Sequence, residues 1–189
     1  MNKFVEKTAE NFETTQKTTN AWELKKVDDV LFLENKKGFD KLQILTATND
    51  NGMQKWLSGV NYLKNESIKK FNLVNRFDFV LHLSSYFAGL AFSELNGLTS
   101  PAYSVLRLKD MNEYNPYFLK IIFKSKDFIQ KLKPITFGLR MGKSIKVEDL
   151  VKIIIVKPKV DEQTKICKLI NNVDYVISLL QCNFVNYQN

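Results

Sequence analysis

Apolar residues recur along the end of the chain at helical spacing. Ile166, Ile170, Val173, Ile177, Leu180, Phe184 and Tyr187 are separated by 4, 3, 4, 3, 4 and 3 residues. This is the heptad period that draws one seam along a helix. Leu169 and Val176 widen the stripe, and no Gly or Pro interrupts the chain from Asp161 onward. Asp161 and Glu162 fall where the helix dipole favours negative charge. The spacing predicts a helix of ~29 residues, about 43 Å long at 1.5 Å per residue. Such a helix cannot bury the stripe against itself. The pattern therefore predicts a partner helix, with an amphipathic helix lying on its own domain as the alternative.

Upstream the period changes. In "AWELKKVDDVLFL" the sequence offers Trp22, Leu24, Val27 and Val30 to a core, with a short turn at Val27–Val30 feeding a strand. "KLQILTATND" reads as a strand entering a polar turn, and Asn51-Gly52 extends the turn signal. "FDFVLHLSSYFAGLAFSEL" gives two strand-like runs around Gly89, and "TSPAYSVLRLK" another strand with a proline at its entrance. At "NPYFLKIIFKSKDFIQKLKP" helical spacing returns: Asn115 is a good N-cap, Pro116 suits the first helical position, and Phe118, Ile121, Ile122 and Ser125 share a face. Asp127 is positioned to cap a second short helix carrying Phe128 and Leu132, which Pro134 ends. A Gly-rich loop, a turn at 147–150 and a β-branched strand at 151–156 follow, and Pro158 stops the strand. Residues 1–20 are Thr-, Asn- and Glu-rich with little periodicity and read as a flexible or weakly helical lead-in.

Composition sharpens this picture. The chain has 189 residues, 44% of them hydrophobic and 14 of them Phe, enough to fill a core. No apolar run approaches the roughly 20 residues needed to cross a bilayer, and the N-terminus lacks a signal-peptide core. These features predict a cytoplasmic protein. The net charge is +8. Residues 161–189 carry a net −1 and residues 1–20 a net of zero, so the whole excess sits between them. A basic body points to a polyanion, nucleic acid first, although Lys as a default surface residue produces the same count. Cys167 and Cys182 would lie about 22 Å apart on one helix, beyond disulfide reach. With His82 the only imidazole, a structural zinc site has too few ligands.

Several catalytic patterns start and fail. "YNPYF" lacks the second proline of the amino-methyltransferase loop, and no Gly-rich S-adenosylmethionine loop follows a strand upstream. "WELK" contains the Glu-x-Lys of nuclease metal sites without its acidic partner. In "FGLRMGKS" the glycines enclose three residues where the phosphate loop needs four. His82 alternates with apolar neighbours and reads as a packed strand residue. The sequence contains no catalytic constellation and calls for no cofactor.

Taken in order, the motifs resemble the specificity (S) subunit of type I restriction–modification systems. That family shows a Leu-x-x-Ile strand, a proline, Glu-Gln-x-x-Ile and a later Asp. Here these are Leu150 and Ile153, Pro158, Glu162-Gln163, Ile166 and Asp174. "AWELKKVDDV", "FDFVL", "GLTSPAYSVLRL", "NPYFLKIIFKS" and "TFGLRMGKSI" match its other signatures, so the resemblance spans 21–180. The family's usual glycine before its Asp-Val-Leu strand is Phe77 here. Full S subunits carry two recognition domains and two long helices; this chain has one of each, as in a half-sized S subunit or a truncated fragment of a full one.

The resemblance implies an α+β fold: a β-rich target recognition domain with short helices (21–158) after the lead-in, then one coiled-coil α-helix (159–189). It implies a non-catalytic subunit that binds double-stranded DNA, reads one half-site and docks DNA methyltransferase subunits. It would pair with itself or with a second S-type chain through Ile166, Ile170, Val173, Ile177, Leu180, Phe184 and Tyr187. Polar loops supply the candidate DNA contacts: Thr46, Asn49, Asn51, Lys55, Tyr86, Arg107, Thr136 and Arg140. For Arg107 and Arg140 a salt bridge is the competing role. The rival readings are a protein-interaction module with incidental charge, and a fragment of a solo methyltransferase or nuclease.

Overall fold

A computed structural model describes residues 22–56, 65–138 and 143–186, with the side chains of Asn65 and of 182–186 outside the description. The lead-in, Arg140 and Tyr187, and the side chain of Phe184, lie outside the described residues.

The chain opens with β1 (Glu23–Lys26), a single helical turn α1 (Val27–Val30) and β2 (Leu31–Leu33). A hairpin, β3 (Leu45–Thr48) and β4 (Gly52–Lys55), turns at Asn49–Asn51. Then come α2 (Asn65–Ile68), β5 (Asn72–Val74), β6 (Phe79–Leu81), α3 (Ser85–Ala88), β7 (Ala91–Phe92), β8 (Gly97–Thr99) and β9 (Ser104–Leu108). Two helices follow, α4 (Pro116–Lys124) and α5 (Lys126–Leu132), with a 3-10 turn at Lys133–Ile135. The remainder is β10 (Thr136–Phe137), β11 (Ser144–Ile145), α6 (Val147–Leu150), β12 (Ile154–Lys157) and the long α7 (Val160–Asn186). The fold is α+β: short antiparallel strands and short helices, then one long C-terminal helix.

The central sheet runs β2-β9-β6-β7. Its period-2 alternation splits the core in two. Leu31, Phe79, Leu81, Leu106 and Leu108 face Phe118, Leu119, Phe123, Phe128 and Leu132 of α4 and α5. Val80, Ala91 and Val105 face the other way, onto Leu45 and Met53 of the β3–β4 hairpin and Val74 of β5. Asn115 caps α4, its Oδ1 accepting from the amides of Tyr117 (3.0 Å) and Phe118 (3.4 Å), as its position predicts. The cap of α5 is Ser125, whose Oγ accepts from Phe128 N at 3.2 Å. Asp127 instead stands in the first turn and pairs with Lys131 at 2.7 Å. The predicted strand at 151–156 begins later, at Ile154, because Leu150–Ile153 turn to receive α1: Val27 N donates to Ile153 O and Asp28 N to Val151 O, each at 2.9 Å.

Phe77 has φ of 76°, a left-handed conformation that costs a Cβ-bearing residue on the order of 1 kcal/mol. A glycine would adopt this conformation without that cost. Here the ring compensates by packing: it stacks on Phe92 at 6.1 Å, meets Tyr117 edge-on at 5.8 Å and lies 4.6 Å beneath the Arg76 guanidinium.

Candidate nucleic-acid interface and helix root

β1 pairs antiparallel with β12, Leu24 opposite Val156. This zips the two ends of the body together, so α7 leaves beside Trp22. Val27 and Val30 are fully buried as predicted; Trp22 and Leu24 are exposed. Trp22 is used differently, its Nε1 donating to Glu162 Oε1 at 2.9 Å.

The first turns of α7 are fastened to the body by Gln163, which is 0% exposed. Its Oε1 accepts from Asn115 N at 2.8 Å, and its Nε2 donates to Pro158 O at 2.9 Å and Glu113 O at 3.1 Å. One amide thus satisfies the loop before α4 and the loop before α7 together. Lys157 reinforces the joint, bonding Glu113 at 2.9 Å and lying 5.0 Å over the Tyr114 ring; the Glu113 hydrogen bond raises the Lys157 pKa above the usual lysine value. Cys167 is buried in the main core, where desolvation pushes its thiol pKa up, and Ile166 packs against the same core. From Asn171 to Gln181 every side chain is exposed. Val173, Ile177 and Leu180 of the predicted seam are among them, as are Tyr175, Val176 and Leu179.

Among the described residues, the predicted loop positions stand as follows. Asn49 and Asn51 form the exposed β3–β4 turn, with Thr46 on β3 and Lys55 at the far end of β4. Thr48 shapes the turn, its Oγ1 accepting from Asn51 N at 3.1 Å. Tyr86 lies on α3, edge-on to Phe87 at 4.9 Å and 5.0 Å beneath Lys143. A concavity of about 470 Å³ lined by Asn49, Asp50, Phe87, Ala88, Lys124 and Ile129 joins the turn to α3. Thr136 begins β10 and donates to Leu132 O at 2.7 Å; nearby Lys146 lies 5.5 Å from the Phe137 ring. Turn, α3 and the β10–β11 strands therefore present polar, aromatic and lysine side chains in succession.

Arg107 stands apart: it forms the salt bridge that is the competing role for it. On β9 it shares a sheet face with Val105, and its Nε and Nη2 both donate to the Asp78 carboxylate at 2.9 Å. Glu34 stands 3.8 Å away. Asp78 is 2% exposed, so the guanidinium is an internal counter-ion, and the Asp78 hydrogen bond raises its pKa above the ordinary value. His82 is buried, as expected, but it follows the end of β6 and does not lie within a strand. Desolvation, then the nearby Lys124 charge, lower its pKa to about 4.

Sequence reasoning missed Lys124, the last residue of α4. Its Nζ donates to Asn49 O at 2.6 Å and to Ala88 O at 2.8 Å. Burial lowers its pKa from the usual lysine value, and Asp50 partly offsets this. The available signal was Lys120 and Lys124 at i, i+4, which puts two cations on one face of α4. Among the described residues no cluster of His, Cys, Asp and Glu could hold a metal ion, and no helix is long and apolar enough to cross a membrane.

No family model matches the sequence, and no curated protein does. Solved structures do match the fold. The S subunit of a type I restriction–modification system from M. genitalium has a TM-score of 0.58 at 17% identity, over 88% of this chain and 42% of that one. The HsdS subunit from Thermoanaerobacter tengcongensis gives 0.53 at 14% identity, over 88% of this chain and 40% of its own. A chain from a structure addressing complex assembly and conformational transition of the type I R-M system gives 0.54 at 14% identity, over 94% and 45%. The chain thus spans less than half the length of the structures it resembles, and it shares with them the fold of a type I restriction–modification S subunit.

Proposed function

We propose that this chain is a DNA-reading specificity subunit of a type I restriction–modification complex, carrying one recognition domain (21–158) and one pairing helix (159–189). The observation that carries the reading is the contrast along α7: a body with the fold of solved S subunits grips one end of the helix, and the stretch from Asn171 to Gln181 stands bare with an apolar stripe. The stripe would pair with a second copy, or with a second S-type chain, so that two bodies read two inverted half-sites at a spacing set by helix length. The paired helices would also dock methyltransferase subunits, which supply the S-adenosylmethionine chemistry. The chain itself is non-catalytic, needs no cofactor and works in the cytoplasm.

Lys55, Lys143 and Lys146 would contribute phosphate contacts, which fix register and supply affinity. Asn49, Asn51, Tyr86 and Thr136, with Thr46 and Arg140, would contact base edges or the backbone beside them. The test is the salt dependence of binding to duplex DNA of random sequence. Each phosphate neutralised contributes about −0.9 to the slope of log K against log salt, so a reader that contacts six phosphates loses about a thousandfold in affinity between 50 and 200 mM salt. A flat response would sink the DNA reading and leave the bare stripe to a protein partner alone.

A further inference from the structure

We propose that Lys124 is a positioning residue for DNA reading: its ammonium brackets the β3–β4 turn to the end of α3, so that the two loops act as one frame. This rests on the reading of the chain as a DNA-specificity subunit. The geometry is that of a bracket between backbones. Two of the three ammonium donors are committed to carbonyls, one in each loop, Asn49 O at 2.6 Å and Ala88 O at 2.8 Å. Among the described residues no carboxylate lies within 4.0 Å of it. Ala88 closes α3, a four-residue helix whose terminal carbonyls have no partner within the helix.

Both segments are also held by glycines that tolerate no side chain. A Cβ on Gly52 would sit 2.2 Å from Phe92 O, and one on Gly89 would sit 2.0 Å from Phe123 O. Both have positive φ, 67° and 72°. Gly89 therefore presses the end of α3 against α4, and Gly52 presses the hairpin against β7. Lys124 stands beside the Gly89 seat, and its ammonium reaches across to the hairpin turn at Asn49. It also lines the groove between α4 and α7, beside Ile170 and Asp174. The loop frame is thereby fixed to the helix against which the root of α7 packs.

Hydrogen bonds to base edges weaken steeply when donors move by a few tenths of an ångström or tilt off line. Loosening a bracket between two reading loops should therefore reduce discrimination between sequences more than it reduces overall affinity. A direct phosphate contact would do the reverse.

The experiment compares wild type, Lys124→Met and Lys124→Arg in the full chain. Binding is measured against a randomised duplex pool and its selected sequences, with salt titration and amide exchange run in parallel. Lys124→Met is expected to lower the ratio of selected to random affinity tenfold or more, with the salt slope unchanged. Lys124→Arg, which keeps a stem and donors, is expected to restore most of the ratio. Amide exchange at Gly52 and Gly89 should accelerate in Lys124→Met in the absence of DNA. A salt slope shallower by about 0.9 would make Lys124 a phosphate contact and overturn the bracket. Unchanged discrimination or unchanged exchange would overturn it as well. If wild type binds DNA without salt dependence, the DNA reading itself fails, and the exchange measurement still decides whether the bracket exists.

Discussion

Along the root of α7, Gln163 and Cys167 are buried and Ile166 and Ile170 half-buried; along its shaft, from Asn171 to Gln181, nothing is. The apolar period runs unbroken through both. The same spacing therefore serves two purposes: at the root it meets α4 and the main core, and on the shaft it meets solvent. What distinguishes the two stretches is polar. The root face begins with Gln163, one turn before Ile166 and Cys167, and its amide is consumed by the body's own backbone. The shaft stripe has no comparable residue, and its apolar side chains carry nothing that specifies the body. A buried amide answering specific loops marks a fixed intramolecular joint; a plain apolar stripe marks a surface that accepts another helix.

The sharpest way to break this comparison is Gln163→Leu. The substitution keeps volume and leaves Asn115 N, Glu113 O and Pro158 O without partners in a dry joint. Orphaned buried groups cost about 1–3 kcal/mol each, and relaxation recovers part of that, so urea unfolding should show a loss of roughly 2–4 kcal/mol. A loss below about 1 kcal/mol would mean that packing of Cys167 and Ile166 holds the root and the amide is incidental.

The legible part of this molecule was the part with a local cause. The cap at Asn115, the stop at Pro134, the packed His82 and the long helix follow from residues next to one another in sequence. The motif order across 21–180 also carried the fold. What the sequence could not show were pairings across long separations. Trp22 and Leu24 have apolar side chains and were assigned to the core, yet β1 pairs with β12 at the rim, where both stay exposed. For Arg107 the sequence leaves a base contact and a salt bridge both open, because its partner Asp78 lies 29 residues away. Asp127 and Ser125 compete for the cap of α5, and only the geometry selects the serine. Lys124 gave no sign of its role, since its partners are backbone carbonyls that any sequence supplies. Of the candidate contacts, the turn residues were readable from polarity; the element joining them was not.

A pH titration separates body from shaft. His82 has a folded-state pKa of about 4, below its ordinary 6.5, and its Nε2 is buried without a hydrogen-bond partner. The unfolded chain therefore takes up the proton first as pH falls. The contribution of His82 to stability is complete above about pH 6.5 and is lost progressively toward and below pH 4, by about 3 kcal/mol in total. His82→Gln should flatten that part of the unfolding profile relative to wild type. Between 171 and 181 the titratable side chains are Asp174 and Tyr175 alone. Helix pairing should accordingly change little over the interval in which the body weakens. Parallel loss of both would mean that the shaft depends on the body's packing.

The smallest expected effect on stability belongs to the shaft, and it is the most informative. Ile177→Gln with Leu180→Gln replaces side chains that are 46% and 54% exposed in the single chain, with residues that keep helix propensity. At a protein concentration where wild type is monomeric, the unfolding free energy should change by less than about 0.5 kcal/mol, because almost no burial is lost. At higher concentration, sedimentation should show wild type moving to a dimer and the double variant remaining a monomer, since the dimer gains stability by mass action only through the stripe. A loss of about 2 kcal/mol in the monomer would mean that the chain covers its own shaft, and root and shaft would then differ in degree only. A dimer that survives the substitution would move the pairing surface elsewhere, because a helix stripe interrupted at two successive seam positions has no continuous apolar face left to offer.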